Sequence, residues 1–299
     1  MRARCVTLCA AASLGALALG AAPHPARAHL ERSAPAARAA GLGDAFVSVA
    51  DDATAVVANS AGLVNLPAFT VLATWQSPYG LDDLSEGFFA AAARTRHLRL
   101  GVAWFHRGLD GALSEDLITV AVARDLLRTA EDASLSVGAS VDLARVSVNA
   151  DGLDASDGAA TAGLAIHMRP FPVIGVGYAV RHLNAPTLHL VGGGPGTPLE
   201  RTHTWGISYY WERRLVVSFE SALEQGQWHN RAGVEVVLDR RLFIRSGMDG
   251  RYASAGIGAR WSGIALDVSV RSHETLGAST LFTIGYAPEP SADPYAQSP

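Results

Sequence analysis

The chain has 299 residues, of which 49% are hydrophobic and only 17% charged, and its net charge is -4. That length holds one large or two ordinary domains, and the charge gives no reason to expect a nucleic-acid partner. Beyond about the first twenty residues there is no apolar run of about 18 or more, which excludes a helical membrane protein; a β-barrel, whose lipid face takes only alternate residues, stays open.

The N-terminus carries Arg2 and Arg4, an apolar stretch from about Cys9 to Leu19 and the small-residue site Ala26-Arg27-Ala28. This is the layout of a secretory signal peptide over residues 1–28, cleaved near Ala28. Both cysteines, Cys5 and Cys9, fall inside it, so the expected mature chain has neither disulfides nor thiol ligands.

Residues 29–67 precede the first β-patterned stretch and are rich in Ala and Gly. Asp51 or Asp52 can cap a short helix from about Ala53 to Ala58, with Asn59 and Gly62 ending it. Leu42, Phe46, Val49, Val56 and Leu63 are its expected packing residues. A segment this small-grained fits inside a barrel as a hatch; a periplasmic arm outside the barrel is the alternative.

From Phe69 onward the period is two: Ile264, Leu266, Val268 and Val270 alternate with Ala265, Asp267, Ser269 and Arg271. Comparable stretches run over about 69–77, 86–95, 98–107, 115–124, 134–144, 160–169, 172–182, 201–211, 214–223, 229–239, 241–249, 251–261, 263–272 and 278–286. About fourteen strands of this length suit a tilted membrane barrel. The links look alternately short (Arg96-His97, Pro170-Phe171, Glu212-Arg213, Arg240, Ser262) and long (78–85, 108–114, 149–158 and the Gly-rich 184–200). The stretch 125–133 breaks the alternation, as an insertion or a miscounted strand would. Trp104, Tyr178, Trp205, Tyr209, Trp211 and Trp261 share the apolar faces, as an interfacial aromatic girdle does; a soluble β-sandwich using them as core is the competing fold. An even strand number puts both ends on the periplasmic side and the 184–200 loop outside. The Pro-rich stretch 288–299 has no pattern and reads as a disordered tail.

Three elements of the N-terminal segment now carry a resemblance. Ala37-Arg38-Ala39-Ala40-Gly41-Leu42-Gly43-Asp44-Ala45-Phe46, Ala50-Asp51-Asp52-Ala53-Thr54-Ala55 and Asn59-Ser60-Ala61-Gly62-Leu63 resemble, in order and spacing, the N-terminal signature of the FadL-like outer-membrane barrels, especially their PorV/PorQ-type branch. Ser60 stands where the signature has proline, and the last β-patterned stretch is followed by a Pro-rich tail instead of a terminal aromatic. The resemblance implies an all-β fold, a transmembrane antiparallel up-and-down barrel of about fourteen strands over residues 68–287 with a short helical hatch. It implies passive passage of hydrophobic small molecules such as long-chain fatty acids or, in PorV-type members, a closed barrel that serves as secretion shuttle or surface-attachment scaffold.

Arg99, Asp142, Arg181, Glu220, Arg231, Glu235, Asp239, Arg245, Asp267 and Arg271 fall on the expected luminal faces, where ion pairs that stiffen the barrel explain them better than a selectivity path. No histidine pair has convincing metal-ligand spacing, and His203 with Ser208 or His273 with Ser279 lacks any third catalytic group. The expected protein is therefore not an enzyme and needs no cofactor or metal. Its hatch or gating candidates are Gly41, Gly43, Phe46, Asp51, Asp52, Asn59 and Gly62, and its outer-loop ligand candidates are Leu188, Leu190, Val191 and Trp228. Its expected partners in the cell outer membrane are lipid and either a hydrophobic small molecule or an exported client protein.

Overall fold

A computed structural model describes residues 35–288 apart from 131–132, 151–152, 190–196, 213, 251 and 274. The expected signal sequence, the start of the hatch at His29, the loop residues Leu190 and Val191 and the tail beyond residue 288 lie outside the described residues.

The strands are β1 Phe69–Ser77, β2 Leu84–Arg94, β3 Arg99–Leu109, β4 Leu113–Arg128, β5 Ser134–Ala150, β6 Leu153–Phe171 and β7 Ile174–Arg181. After the short pair β8 Thr187–Leu188 and β9 Thr197–Pro198 come β10 Thr202–Trp211, β11 Leu215–Glu224, β12 Gln227–Asp239, β13 Leu242–Asp249, β14 Tyr252–Trp261, β15 Ile264–His273 and β16 Gly277–Tyr286. Fourteen of them form one closed antiparallel barrel in chain order, sealed by β1 against β16 with Trp75 opposite Phe282. Closure satisfies the backbone without leaving a sheet edge. The fourteen strands are those the two-residue period marks out, and the barrel, not a sandwich, is the outcome.

Two expectations about the links are corrected. The strands run further into them than periodicity showed, so β5 and β6 reach 17 and 19 residues and the expected loop 149–158 shrinks to residues 151–152. Tight turns follow elsewhere too: Gln225-Gly226 and Ser262-Gly263 have both residues at positive φ, the requirement of a type I′ hairpin. Length alternation therefore rests mainly on residues 182–201. The stretch 125–133 is neither an insertion nor a miscount: β4 continues to Arg128 past a register shift between Asp125 and Leu127, and Thr129 N donates to Ala133 O at 2.9 Å.

Outward faces are apolar. Trp75, Val120, Leu143, Leu164, Ile257, Phe282 and Ile284 are each at least half exposed around the wall, and the six expected girdle aromatics all point outward. Inward faces carry Ala, Gly, Ser, Thr and the charged residues. Asp239 is the exception among the expected luminal charges: the register shift between Val237 and Asp239 breaks the alternation at the strand end and leaves it exposed.

Candidate functional site: the occupied lumen

The barrel interior is occupied by residues 36–66. They form α1 Ala37–Gly41, α2 Ala55–Ala58 and a 3-10 turn at Ser60–Asn65, joined by irregular backbone, and Leu42, Val49 and Leu63 have no exposed surface. The helix expected at 53–58 is thus shorter. Neither Asp51 nor Asp52 is its N-cap: Thr54 holds that position without a side-chain cap bond, and Asp52 accepts Thr54 N at 2.8 Å in the turn that leads into the helix. Asn59 ends α2 and starts the 3-10 turn, with its side-chain Oδ1 accepting Ala61 N at 3.1 Å.

The segment meets two kinds of wall. On one side α2 and the 3-10 turn bury Val56, Val57, Leu63 and Val64 against Ala90, Ala92, Ala103, Ala121 and Ala123 of β2 to β4. Alanine on the luminal face leaves room for the segment's larger side chains. On the other side the contacts are ionic. Arg38 donates through Nε and Nη2 to both oxygens of Glu235 at 2.9 Å and also pairs with Asp51 and, at 3.2 Å, with Asp52. Glu235 is shared with Arg245 at 2.5 Å, Arg245 reaches Asp267 at 2.7 Å, and Arg260 closes the ladder on Asp267 at 2.9 Å. Burial would lower the pKa of Arg38, but the carboxylates of Asp51, Glu235 and Asp52 outweigh it and hold the guanidinium well above its ordinary value. Charges that are buried here are paired, as low dielectric demands.

Further ties fix the backbone of the segment. One oxygen of Glu220 accepts Phe46 N at 3.0 Å and Val47 N at 2.8 Å while its other oxygen holds Arg231 at 2.9 Å. Arg271 grips both oxygens of Asp44 at 2.7 and 2.9 Å. Asn59 Nδ2 donates to Val47 O at 2.8 Å and to Ile166 O at 3.1 Å, and His167 Nε2 lies 3.0 Å from Ser48 O. Where the backbone of the segment runs against the wall, the wall is glycine. A Cβ on Gly177 would meet the Val47 carbonyl carbon at 2.6 Å, and one on Gly233 the Leu42 carbonyl carbon at 2.9 Å.

The structure gathers all seven hatch candidates into this interior. Gly43 combines a φ of 61° with backbone contact to Met248, so no side chain fits there. Gly62 packs on Ala50, whose Cβ and O would lie 2.5 Å from an added Cβ, whereas Gly41 faces Arg245 Cβ at 3.3 Å. Phe46 is buried beneath the Arg38 guanidinium, 5.6 Å from ring centre to Cζ. The outer-loop candidates are not brought together: Leu188 is buried in the β8–β9 pair, while Trp228 lies on the outward face of β12 at 59% exposure. Arg38, Asp44, Glu220 and Glu235 anchor the segment to the wall, and sequence reading did not single them out as site residues. Their signal was a charge within an Ala/Gly segment matched by an opposite charge on an inward strand position.

Neither Ser-His pair assembles. His203 bonds the exposed Tyr178 hydroxyl at 2.8 Å while Ser208 points inward to Ser48 O, and Ser279 accepts Tyr79 N at 2.9 Å. Among the described residues no group of three or more His, Asp, Glu or Cys could hold a metal ion. Two open grooves stand out: one of about 370 Å³ on the outer wall at the β1–β16 seam, and one of about 340 Å³ among the loops at Asp82, His106 and Asp110.

No protein-family model and no curated protein matches the sequence. Solved structures do match in shape. The chain is similar to the toluene transporter TbuX of Ralstonia pickettii (13% identity, TM-score 0.60, covering 86% of this chain and 98% of that one). It is also similar to the monoaromatic hydrocarbon channel CymD (12%, 0.60, 84% and 96%) and to a FadL homologue of Pseudomonas aeruginosa (11%, 0.57, 84% and 98%). At these identities the likeness is one of architecture, and it spans nearly the whole of each relative. The chain has the FadL-like fold: a closed fourteen-stranded antiparallel barrel with short helices near its N-terminus.

Proposed function

We propose that this chain is an outer-membrane channel for hydrophobic small molecules, exported by the signal sequence of residues 1–28, with residues 29–67 as its hatch. The observation that carries the reading is the wall. A continuous band of outward Trp, Phe, Leu, Ile and Val encloses an interior where the charges are paired, an arrangement stable only when lipid covers the outside. A wide water-filled porin lumen does not fit, because the segment and its ion pairs fill the cross-section.

A hydrophobic solute entering among the outer loops near Leu188, with Leu190, Val191 and Trp228 as further candidates, passes inward when the segment 41–62 shifts. No nucleotide or cofactor is needed. The similar barrels include a toluene transporter and a monoaromatic hydrocarbon channel, which supports a small apolar solute; a long-chain fatty acid is the larger alternative. The density of buried ion pairs also favours a second reading, a permanently closed PorV-like barrel that docks an exported protein on the 182–201 loop.

Uptake into vesicles carrying the full barrel decides between them. Labelled toluene or labelled fatty acid should enter faster than in empty vesicles, and deletion of residues 41–62 should change the rate. No uptake of either solute, together with co-purification of an exported protein from cells, would replace the channel by the scaffold.

A further inference from the structure

The barrel is electrically polar along its axis. On the rim that carries both ends of the barrel, each of the six connections has an arginine in or beside it: Arg96, Arg128, Arg169, Arg214, Arg240 with Arg241, and Arg260. On the opposite rim acids outnumber arginines, with Asp82 and Asp83 after β1, Asp110 after β3, Asp154 and Asp157 opening β6, Glu200 before β10 and Glu224 closing β11, against Arg201 before β10 and Arg251 between β13 and β14. The chain contains no lysine, so all 24 Lys+Arg residues are guanidinium groups, the side chain whose planar fork matches phosphate.

Most of this collar is not consumed by internal pairing. Arg96, Arg124, Arg214, Arg240 and Arg241 are exposed, and none of them forms an ion pair with a described carboxylate. Arg128 holds Asp125 at 3.3 Å and Arg260 belongs to the luminal ladder, while Asp239 is turned to the Arg240 N–H at 2.6 Å. Arg169 stacks over the buried Tyr210 ring at 5.0 Å, but exposed Trp211 lies three residues from exposed Arg214, and exposed Phe171 and Trp261 flank the other turns of the same rim, so the aromatic girdle and the exposed guanidiniums share one end of the barrel. Aromatics of that kind sit at the headgroup level, with long cationic side chains reaching to the phosphates beside them.

We infer that this arginine collar binds the phosphate groups of anionic phospholipids, such as phosphatidylglycerol, in the leaflet that meets the turn rim. The inference rests on the outer-membrane reading, in which that leaflet is the periplasmic one. Bound headgroups would neutralise the collar and fix the depth of the barrel beneath its hatch.

The test uses the full chain in mixed phosphatidylcholine and phosphatidylglycerol vesicles, with spin-labelled lipids reporting which headgroup dwells at the protein. Wild type should enrich the phosphatidylglycerol label over phosphatidylcholine at low salt and lose that preference at about 1 M salt, where the Debye length falls to about 3 Å. The Arg96→Gln, Arg214→Gln, Arg240→Gln, Arg241→Gln variant should lose at least about half of the preference, since each surface guanidinium contributes on the order of a few-fold. Asp82→Asn with Asp83→Asn on the other rim should leave it unchanged. Equal affinity for both labels in wild type, or an unaltered preference in the four-arginine variant, overturns the collar. Displacement of the label by millimolar inorganic phosphate would also overturn it, since the site would then read a free anion. Flotation with phosphatidylcholine vesicles separates the failures: a barrel that floats without lipid preference loses only the collar, and one that enters no bilayer loses the membrane reading as well.

Discussion

Arg38 and Glu235 are 197 residues apart in sequence and meet as a two-pronged ion pair at 2.9 Å, both nearly inaccessible to water. The pair joins the first helix of the luminal segment to the twelfth strand. Glu235 also holds Arg245, so the segment is wired into a charge ladder that continues across β13 to Asp267 on β15.

Arg38→Gln should destabilise the folded barrel by about 3–5 kcal/mol, because Asp51 is left buried without its cation and Glu235 loses one of its guanidinium partners. The urea midpoint of the heat-modifiable folded band measures it. A shift indistinguishable from zero would mean that the ladder contributes no net stability.

Gly177→Ala and Gly233→Ala place a methyl group into the segment's backbone, which cannot retreat as a flexible side chain would. The barrel should still close, and the segment should leave its seat, exposing residues 42–48 to protease. Gly87→Ala is the matched control, since its Cβ meets only Trp75 ring atoms at 3.7 Å and beyond.

Asn59→Ala removes three hydrogen bonds at once, from Ala61 N, to Val47 O and to Ile166 O. The buried partners lose their mates, so a destabilisation of about 1–3 kcal/mol is expected in the same urea assay. Asn59→Asp should be worse than Ala, because a carboxylate would face two carbonyl oxygens.

Ser60→Pro restores the residue that the resembling signature has at this point. Asn59 is extended, with φ -157° and ψ 96°, which a following proline favours, and Ser60 is the first residue of the 3-10 turn, where no intrahelical N–H bond is needed. The change should be neutral or stabilising by up to about 1 kcal/mol. A large loss of stability would show that the packing of Ser60 near Gly138 outweighs the backbone preference.

The wall of this protein was legible from its residues. A period of two repeated through Leu266, Val268 and Val270 assigns one face to the apolar outside and the other to the interior, because pleating leaves no other choice. Strand ends were less legible: residues 145–150 and 153–159 carry weak alternation and are held by pairing across the β5–β6 hairpin, which no local pattern reports. The motif glycines of the N-terminal segment marked it out. Why Gly43 must be glycine, however, depends on Met248 of β13, far away in the chain.

Sequence by itself therefore determined the class of fold, the number of barrel strands and which side chains face out, since these follow from local stereochemistry and solvent preference. Only the tertiary structure decided that residues 36–66 sit inside the barrel and that Arg38 finds Glu235 instead of water. Those outcomes depend on closure. When β1 seals against β16, inward charges and glycines from distant strands come within reach of one segment, and that proximity has no signature along the chain.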